Sequence, residues 1–310
     1  MLSIAMDRLP TICLAMIVKN EQDNLQRSLG GARRWFDHTL VIDTGSTDGT
    51  VGVAQSFGAQ VQYFDWINDF SAARNEWAKY VRVDWIFWLD ADDELPEETG
   101  SKLLGLAAMA PADVFGFMFE YVYPNGYRCD HIRLYRNHPA VCWKRRIHES
   151  LWLDPSANGR LVHSRLPVLH PGYPEGDLAA LTAKGDRNLT ILMEELEADP
   201  KDPLTNQYIA VDRQARGKHE EACGYFEKAI RYGDAKSQYT WLPEAYINYA
   251  RSLVKMGKRG KARKLLEKGR AAFPEVWKLF VDRQLIVRRS DGETAIDYGR
   301  RRFQQLRALS

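Results

Sequence analysis

Carboxylates crowd the segment Asp90, Asp92, Asp93 and Glu94, directly after the apolar run 85–89 (WIFWL). Acids this close repel one another, and burying them costs heavily unless a cation or a cationic side chain neutralises them. Hard divalent cations such as Mn2+ or Mg2+ take oxygen ligands and bridge carboxylates to substrate phosphates. Asp90 and Asp92, in D-x-D spacing on an extended segment, can therefore converge on one nucleotide–metal complex. Asp93 and Glu94 have a second reading, as the acidic start of a helix with Pro96 near its first turn. The Gly and terminal Glu of an EF-hand loop are missing, so that kind of calcium site is excluded. Upstream, residues 41–50 (VIDTGSTDGT) read as a strand, a tight turn and a helix start capped by Thr47 or Asp48. Asp43, at the strand end, is placed to accept hydrogen bonds from a ligand's N–H or hydroxyl groups. Neither a dinucleotide fingerprint nor a P-loop occurs in the chain.

These residues need a scaffold, and the hydrophobic pattern supplies one. Residues 11–18 (TICLAMIV) form a continuous apolar run, suited to a strand buried on both faces. Residues 20–31 read as an amphipathic helix, 39–43 as a strand, 51–57 as a helix and 59–64 as a strand. A helix over 70–81 and a strand over 85–89 complete the alternation. Strands alternating with single helices indicate βαβ units and a mostly parallel sheet, so the first domain is α/β. Ligands of such sheets gather at the carboxyl ends of the strands, where Asp43 and the acidic cluster fall. Residues 114–122 and 127–134, joined by Pro124-Asn125-Gly126, read as a hairpin added to that sheet.

Beyond about residue 175 the pattern becomes helical, and a repeat emerges. Ala210, Gly217, Ala222, Phe226 and Ala229 recur, at the same offsets, as Ala250, Gly257, Ala262, Leu266 and Gly269. Small residues where paired helices approach, with Gly at the turn between them, match a tetratricopeptide-like pattern. Residues 235–242 read as an insertion and 276–309 as a third, degenerate capping pair. The expected organisation is a catalytic domain over 1–177 and a helical domain over 178–310.

The 310 residues carry 43 Lys+Arg against 41 Asp+Glu, with 45% apolar and 27% charged residues. That balance excludes global disorder and collagen-like repeats, and the net charge of +2 excludes a protein acting through bulk charge alone. Four widely spaced cysteines without a C-x-x-C pair argue against a disulfide framework or zinc site and for reduced thiols. Asp7 and Arg8 interrupt the N-terminus, so no secretory core is expected, and the apolar runs have strand length rather than membrane length. The expectation is a cytoplasmic protein with no transmembrane segment. Residues 251–310 hold 17 Lys+Arg and 6 Asp+Glu, including Arg300-Arg301-Arg302. This basic tail reads either as a solvated face or as a surface for an acidic partner. Without interleaved aromatics or a nucleic-acid motif, nucleic acid is not indicated.

Four segments in order, 15–25 (AMIVKNEQDNL), 41–50 (VIDTGSTDGT), 68–75 (NDFSAARN) and 89–95 (LDADDEL), resemble the donor half of family 2 glycosyltransferases. These are inverting nucleotide-sugar enzymes with the GT-A fold. Residues 131–137 (HIRLYRN), 143–149 (WKRRIHE) and 170–173 (HPGY) resemble a branch that includes lipopolysaccharide-core glucosyltransferases and bacteriocin-type peptide S-glycosyltransferases with helical tails. The resemblance implies that Asn20, Glu21, Asp43 and Asp69 line the nucleoside site and that Arg74 contacts the donor phosphates or sugar. It further implies that Asp90 and Asp92 hold the ribose and the Mn2+ or Mg2+ bridging the diphosphate. His170 is then a third metal ligand or phosphate contact, or else a plain loop histidine.

An inverting transfer needs a general base for the acceptor's proton. Glu149, which His148 could position, is the first candidate; its alternative is a structural pair with Arg145 or Arg146. Asp93 is the reserve base. Arg133, Arg136, Lys144, Arg145 and Arg146 form a basic run that faces phosphates or solvent, and Trp143 is the aromatic to test for sugar contact. The chain lacks a later Glu-Asp or Gln-x-x-Arg-Trp signature, which argues against a processive polysaccharide synthase. The expected activity is metal-dependent hexosyl transfer from a UDP-sugar, first to a peptide or protein side chain and second to a phosphorylated glycolipid. Two other classes fit less of the sequence: a nucleotidyltransferase, and a non-catalytic scaffold acting through its helical tail.

Overall fold

The structure, a computed structural model, describes residues 8–124, 126–171, 178–233 and 241–274. The chain divides into two compact units, Met1–Asp177 and Leu178–Ser310.

Four strands of the first unit, β1 (Ile12–Val18), β2 (His38–Asp43), β3 (Gln60–Tyr63) and β4 (Trp85–Trp88), run parallel in the order β3-β2-β1-β4. The hairpin β5 (Val114–Val122) and β6 (Arg128–Arg136) extends the sheet, β6 lying antiparallel to β4. Its turn residue Asn125 lies outside the described residues. The central strand shows why an unbroken apolar run was needed. Ile12, Leu14, Met16 and Val18 enter one core cluster, while Cys13 and Ala15 enter the cluster on the opposite face. Helices α1 (Gln22–Ala32) and α2 (Thr50–Ser56) follow β1 and β2. They are succeeded by α3 (Phe70–Asn75), α4 (Trp77–Tyr80), α5 (Glu97–Gly100) and α6 (Leu103–Met109).

Three elements escaped the sequence reading. The strands β7 (Val141–Lys144) and β8 (Ser150–Leu153) pair into a separate two-stranded sheet. β9 (Arg160–Leu169) adds to the sheet edge parallel to β5 and delivers the chain to His170. The helix expected over 70–81 is interrupted at Glu76, whose N–H bonds to Ala73 O, three residues back. Asn75 is held beside that break, because its amide donates to Trp143 O and accepts from Trp143 N. The helix expected from residue 20 starts at Gln22, since Asn20 takes a left-handed conformation at φ 55°. Asp93 and Glu94 do not open a helix. Glu94 instead exchanges backbone hydrogen bonds with Leu169 at 2.8 and 3.0 Å, and α5 begins after Pro96.

In the second unit, α7 (Leu178–Ala198) is followed by two helix pairs, α8 (Pro203–Ala215) with α9 (His219–Tyr232) and α10 (Leu242–Lys255) with α11 (Arg259–Ala272). The repeated small residues Ala210, Ala222, Ala229, Ala250 and Ala262 are all fully buried. Gly217 and Gly257 turn each pair at φ 74° and 75°, a conformation that costs glycine little. The tail is tetratricopeptide-like. The insertion over 235–242, apart from Trp241 and Leu242, and the third pair over 276–309, with Arg300 to Arg302, lie outside the described residues. Among the described residues, no helix is long and apolar enough to cross a membrane.

Candidate functional site

Asp90 to Asp93 form a turn just past β4, at the carboxyl ends of the parallel strands. The turn is closed by the Asp93 N–H, which donates to Asp90 O at 3.0 Å. It aims its carboxylates in two directions. Asp90 Oδ1 lies 3.5 Å from Arg74 Nη2, and Asp90 Oδ2 lies 3.7 Å from Arg133 Nη1. Asp92, Asp93 and His170 form the other group, each offering one ligand atom, all within 4.8 Å of one another. Of the expected trio, Asp92 and His170 lie together with Asp93, while Asp90 lies beside the two arginines.

Asp93 is fully buried, and both of its oxygens are committed. Oδ1 accepts from the Tyr121 hydroxyl at 2.6 Å and lies 2.9 Å from His170 Nδ1. Oδ2 pairs with Arg133 Nη2 at 2.9 Å. Burial works to raise this carboxyl, but the Arg133 charge and the hydrogen bonds from His170 and Tyr121 outweigh it and hold it below the usual range. Both oxygens of Asp93, the reserve base of the sequence reading, are thus engaged within the protein. For Asp90, by contrast, lost hydration and the neighbouring Asp93 charge raise the carboxyl.

Arg133 was read only as part of a basic run. It is buried to 0% exposure, and its guanidinium carbon sits 3.7 Å from the centroid of the Trp88 ring. Arg74 sits 4.0 Å from the same ring and within 5.0 and 5.5 Å of Trp143 and Trp77. Aromatic faces stabilise a desolvated guanidinium, which lets two cations lie under one acidic cluster. Arg74 Nε donates to Glu149 Oε1 at 2.7 Å. The partner of Glu149 is therefore Arg74, not Arg145 or Arg146. Arg74 is only 5% exposed and lies against both Glu149 and Asp90. Glu149 Oε2 has no recorded partner among the described residues, and its side chain keeps 14% exposure. Trp143 is core, 6% exposed, packed edge-on against Trp77 and Trp88 and bonded through Nε1 to Tyr135.

The segment carrying Glu149 is fixed by backbone contacts and by strain. Phe70 N–H donates to Arg146 O at 2.8 Å and Ser71 Oγ–H donates to Arg145 O, docking the loop onto the first turn of α3. Arg145 and His148 both take positive φ, 80° and 51°, which side chains other than glycine rarely adopt. Asp69 caps α3 by accepting from Ala72 N at 2.9 Å. On the β2 side, Asp43 is buried at 2% and accepts from the N–H groups of Gly45 and Ser46, so it builds the turn. Exposed Asn20 accepts from Thr47 N at 2.8 Å, and Glu21 donates its N–H to Thr50 Oγ1 at 2.8 Å. Asp48 Oδ1 accepts from Thr50 N at the start of α2. These residues meet as one loop pair at the ends of β1 and β2.

Tyr121 lies between two imidazoles, stacked on His131 at 4.6 Å and on His170 at 5.2 Å. Burial, then the Arg133 charge, push His131 down to about 4. The unfolded chain protonates this histidine near its usual 6.5 while the native state resists until about 4. Acidification over that window therefore favours unfolding, by roughly 3 kcal/mol at about 1.4 kcal/mol per pKa unit. Urea titrations between pH 7 and 4 are expected to show this loss, and His131→Gln is expected to flatten it. An unchanged slope in that variant would assign the acid sensitivity elsewhere.

Residues 13–161 match the family model for Glycosyl transferase family 2. The chain is 28% identical over 229 residues to the SPbeta prophage-derived glycosyltransferase SunS of Bacillus subtilis, covering 71% of this chain and 53% of that protein. It is 36% identical over 170 residues to a TPR repeat-containing protein of Synechococcus elongatus, covering 52% of this chain and 42% of that one. The chain thus spans about half the length of these curated relatives. Among solved structures, S. aureus TarS 1–349 is similar with a TM-score of 0.44 and 14% identity, over 87% of this chain and 89% of that one.

Proposed function

Residues 13–161 place this chain in glycosyl transferase family 2, and from that premise we infer that it transfers a hexose from a UDP-sugar with inversion at the anomeric carbon. One observation carries the reading: Asp92 and His170 on one side of the acidic turn, and the Glu149–Arg74 pair on the other, converge at the carboxyl ends of the strands. Four carboxylates (Asp90, Asp92, Asp93, Glu149) gather there around Arg74 and Arg133, a concentration of acid that suits a divalent cation. Carboxylate and imidazole donors suit Mn2+, and Mg2+ where oxygen donors dominate. Asp92 and His170 would hold the ion, which when bound neutralises the departing diphosphate.

The remaining work falls to the chain's own residues. The loop pair containing Asn20, Glu21 and Asp43 would receive the nucleoside, with Asp69 at its border and Asp90 directed to the ribose. Glu149 Oε2 would take the proton from an acceptor O–H or S–H as that oxygen or sulfur forms its bond to the sugar's anomeric carbon. The bond from that carbon to the diphosphate oxygen breaks, and UDP leaves with the electron pair. Arg74 keeps Glu149 in place through Oε1, leaving Oε2 to act.

We favour a peptide or protein side chain as acceptor, because stacked helix pairs present a groove suited to an extended chain. The exposed basic residues of α11, Arg259, Lys261, Arg263, Lys264, Lys268 and Arg270, favour a phosphorylated glycolipid as second reading. Cys13, Cys129, Cys142 and Cys223, none of them in a disulfide, suit a reducing, cytoplasmic setting. Calorimetry of UDP, GDP and TDP with and without Mn2+ tests the donor site. Tight, Mn2+-dependent binding of UDP is the expected result. Absence of nucleotide binding under any divalent metal would refute the proposed activity.

A further inference from the structure

We propose that a cavity between α4 and the β6–β7 connection is a second ligand site, built for a small organic phosphomonoester. The cavity holds about 270 Å³ and is lined by Arg82 after α4, Arg136 at the end of β6 and His138 in the connection to β7. That is below the roughly 300–1,000 Å³ of pockets for drug-sized ligands, so the ester is a small one. Arg74 completes the basic lining, and no carboxylate lines the cavity among the described residues. A lining of one sign selects an anion. The groups that would bind the ligand lie outside the acidic turn, so the inference does not depend on the metal-centred reading.

Each outer cation keeps a donor for the ligand. Arg136 is oriented by backbone carbonyls: Nε donates to Val114 O at 2.7 Å and Nη2 to Pro111 O at 3.0 Å, while the guanidinium lies 4.5 Å from the Trp85 ring. Its Nη1 has no hydrogen-bond partner among the described residues. Burial pushes the pKa of this guanidinium down, a cost that a bound anion offsets. Asp84, whose charge reaches Arg136, is itself engaged by Arg8 in two hydrogen bonds of 2.8 Å. Arg82 spends Nη1 on Ala78 O and Val81 O and keeps Nε and Nη2. His138 Nδ1 accepts from the Ala140 N–H at 3.1 Å, so the neutral ring carries its proton on Nε2 and offers a donor there. A phosphate group presents several acceptor oxygens to such a set, and arginine matches them with paired N–H groups. The remaining wall favours an ester over bare phosphate. Ile86, Val141 and Trp143 offer apolar surface that only an organic body can cover, and Trp143 Nε1 is already bonded to Tyr135.

Calorimetry of the full-length protein without divalent metal, titrated separately with phenyl phosphate and with inorganic phosphate, tests the site. Phenyl phosphate is expected to bind saturably, with inorganic phosphate about tenfold weaker for want of the apolar contact. Arg136 holds backbone carbonyls and its loss could disturb the fold, so the exposed Arg82 and His138 carry the test. Arg82→Gln is expected to weaken phenyl phosphate by about three- to tenfold, as a solvent-facing charged contact does, and the double variant with His138→Ala to lose saturable binding. Asp92→Ala is expected to bind phenyl phosphate as wild type does. Absence of saturable binding, or binding unchanged in the double variant, would overturn the proposal. Equal affinity for the two probes would refute recognition of an organic body. Loss of binding in Asp92→Ala would move the probe to the acidic turn and equally refute the second site.

Discussion

Replacing Asp92 by Ala is expected to abolish Mn2+-dependent UDP binding and to lower kcat/KM by about a thousandfold or more, as the diphosphate loses its counter-charge. The expectation follows from the division of labour within the acidic turn. Asp93 has both oxygens committed inside the protein, and Asp90 faces Arg74 and Arg133, while Asp92 Oδ2 stands 3.9 Å from His170 Nδ1. Asp90→Asn should then behave differently. It weakens the contact to two arginines and a ribose contact, yet leaves Mn2+ affinity within about tenfold of wild type, the scale of a neighbouring rather than ligating group. Titration of both variants with Mn2+ at fixed UDP reads the difference. Equal, complete loss of metal in both would return Asp90 to the ligand set and refute the division.

That division was only half legible in the sequence. An apolar strand running into acids announces a cation site at a sheet edge, and D-x-D spacing marks Asp90 and Asp92 as its leading members. What spacing cannot show is which carboxylates the protein neutralises itself. The answer came from Arg133, thirty-nine or more residues downstream, whose burial opposes every expectation for an arginine in a run with Arg136 and Lys144. The two Trp faces that accommodate it and Arg74 are likewise contributed by residues distant in sequence. The parallel half of the sheet and the helical repeats were readable because long periodic segments dictate their own structure. β7 and β8 were missed because four residues apiece are too few to show a period, and β9 because Arg165, at φ 59°, interrupts it. The left-handed conformation of Arg145 was beyond reach too, since no local preference selects it for Arg and tertiary contacts impose it.

The second large effect concerns Glu149. Glu149→Gln is expected to lower kcat by about a hundred- to ten-thousandfold, the usual contribution of a general base, with UDP and Mn2+ affinity little changed. The isosteric amide can keep its oxygen toward Arg74 Nε but has no group that accepts the acceptor's proton. Arg74→Lys separates the base from its anchor: lysine retains the charge but not the planar fork that reaches Glu149 and Asp90 together. It should lower kcat less than Glu149→Gln. His148 supplies a third test of the same geometry. At φ 51°, His148→Gly retains the backbone conformation and should keep most of the turnover, whereas His148→Val opposes it and should displace Glu149. Single-turnover rates with saturating UDP-sugar would report these effects on the chemical step apart from binding. A Glu149→Gln enzyme with wild-type kcat and weakened donor binding would make this glutamate an anchor for Arg74 and place the proton acceptor elsewhere.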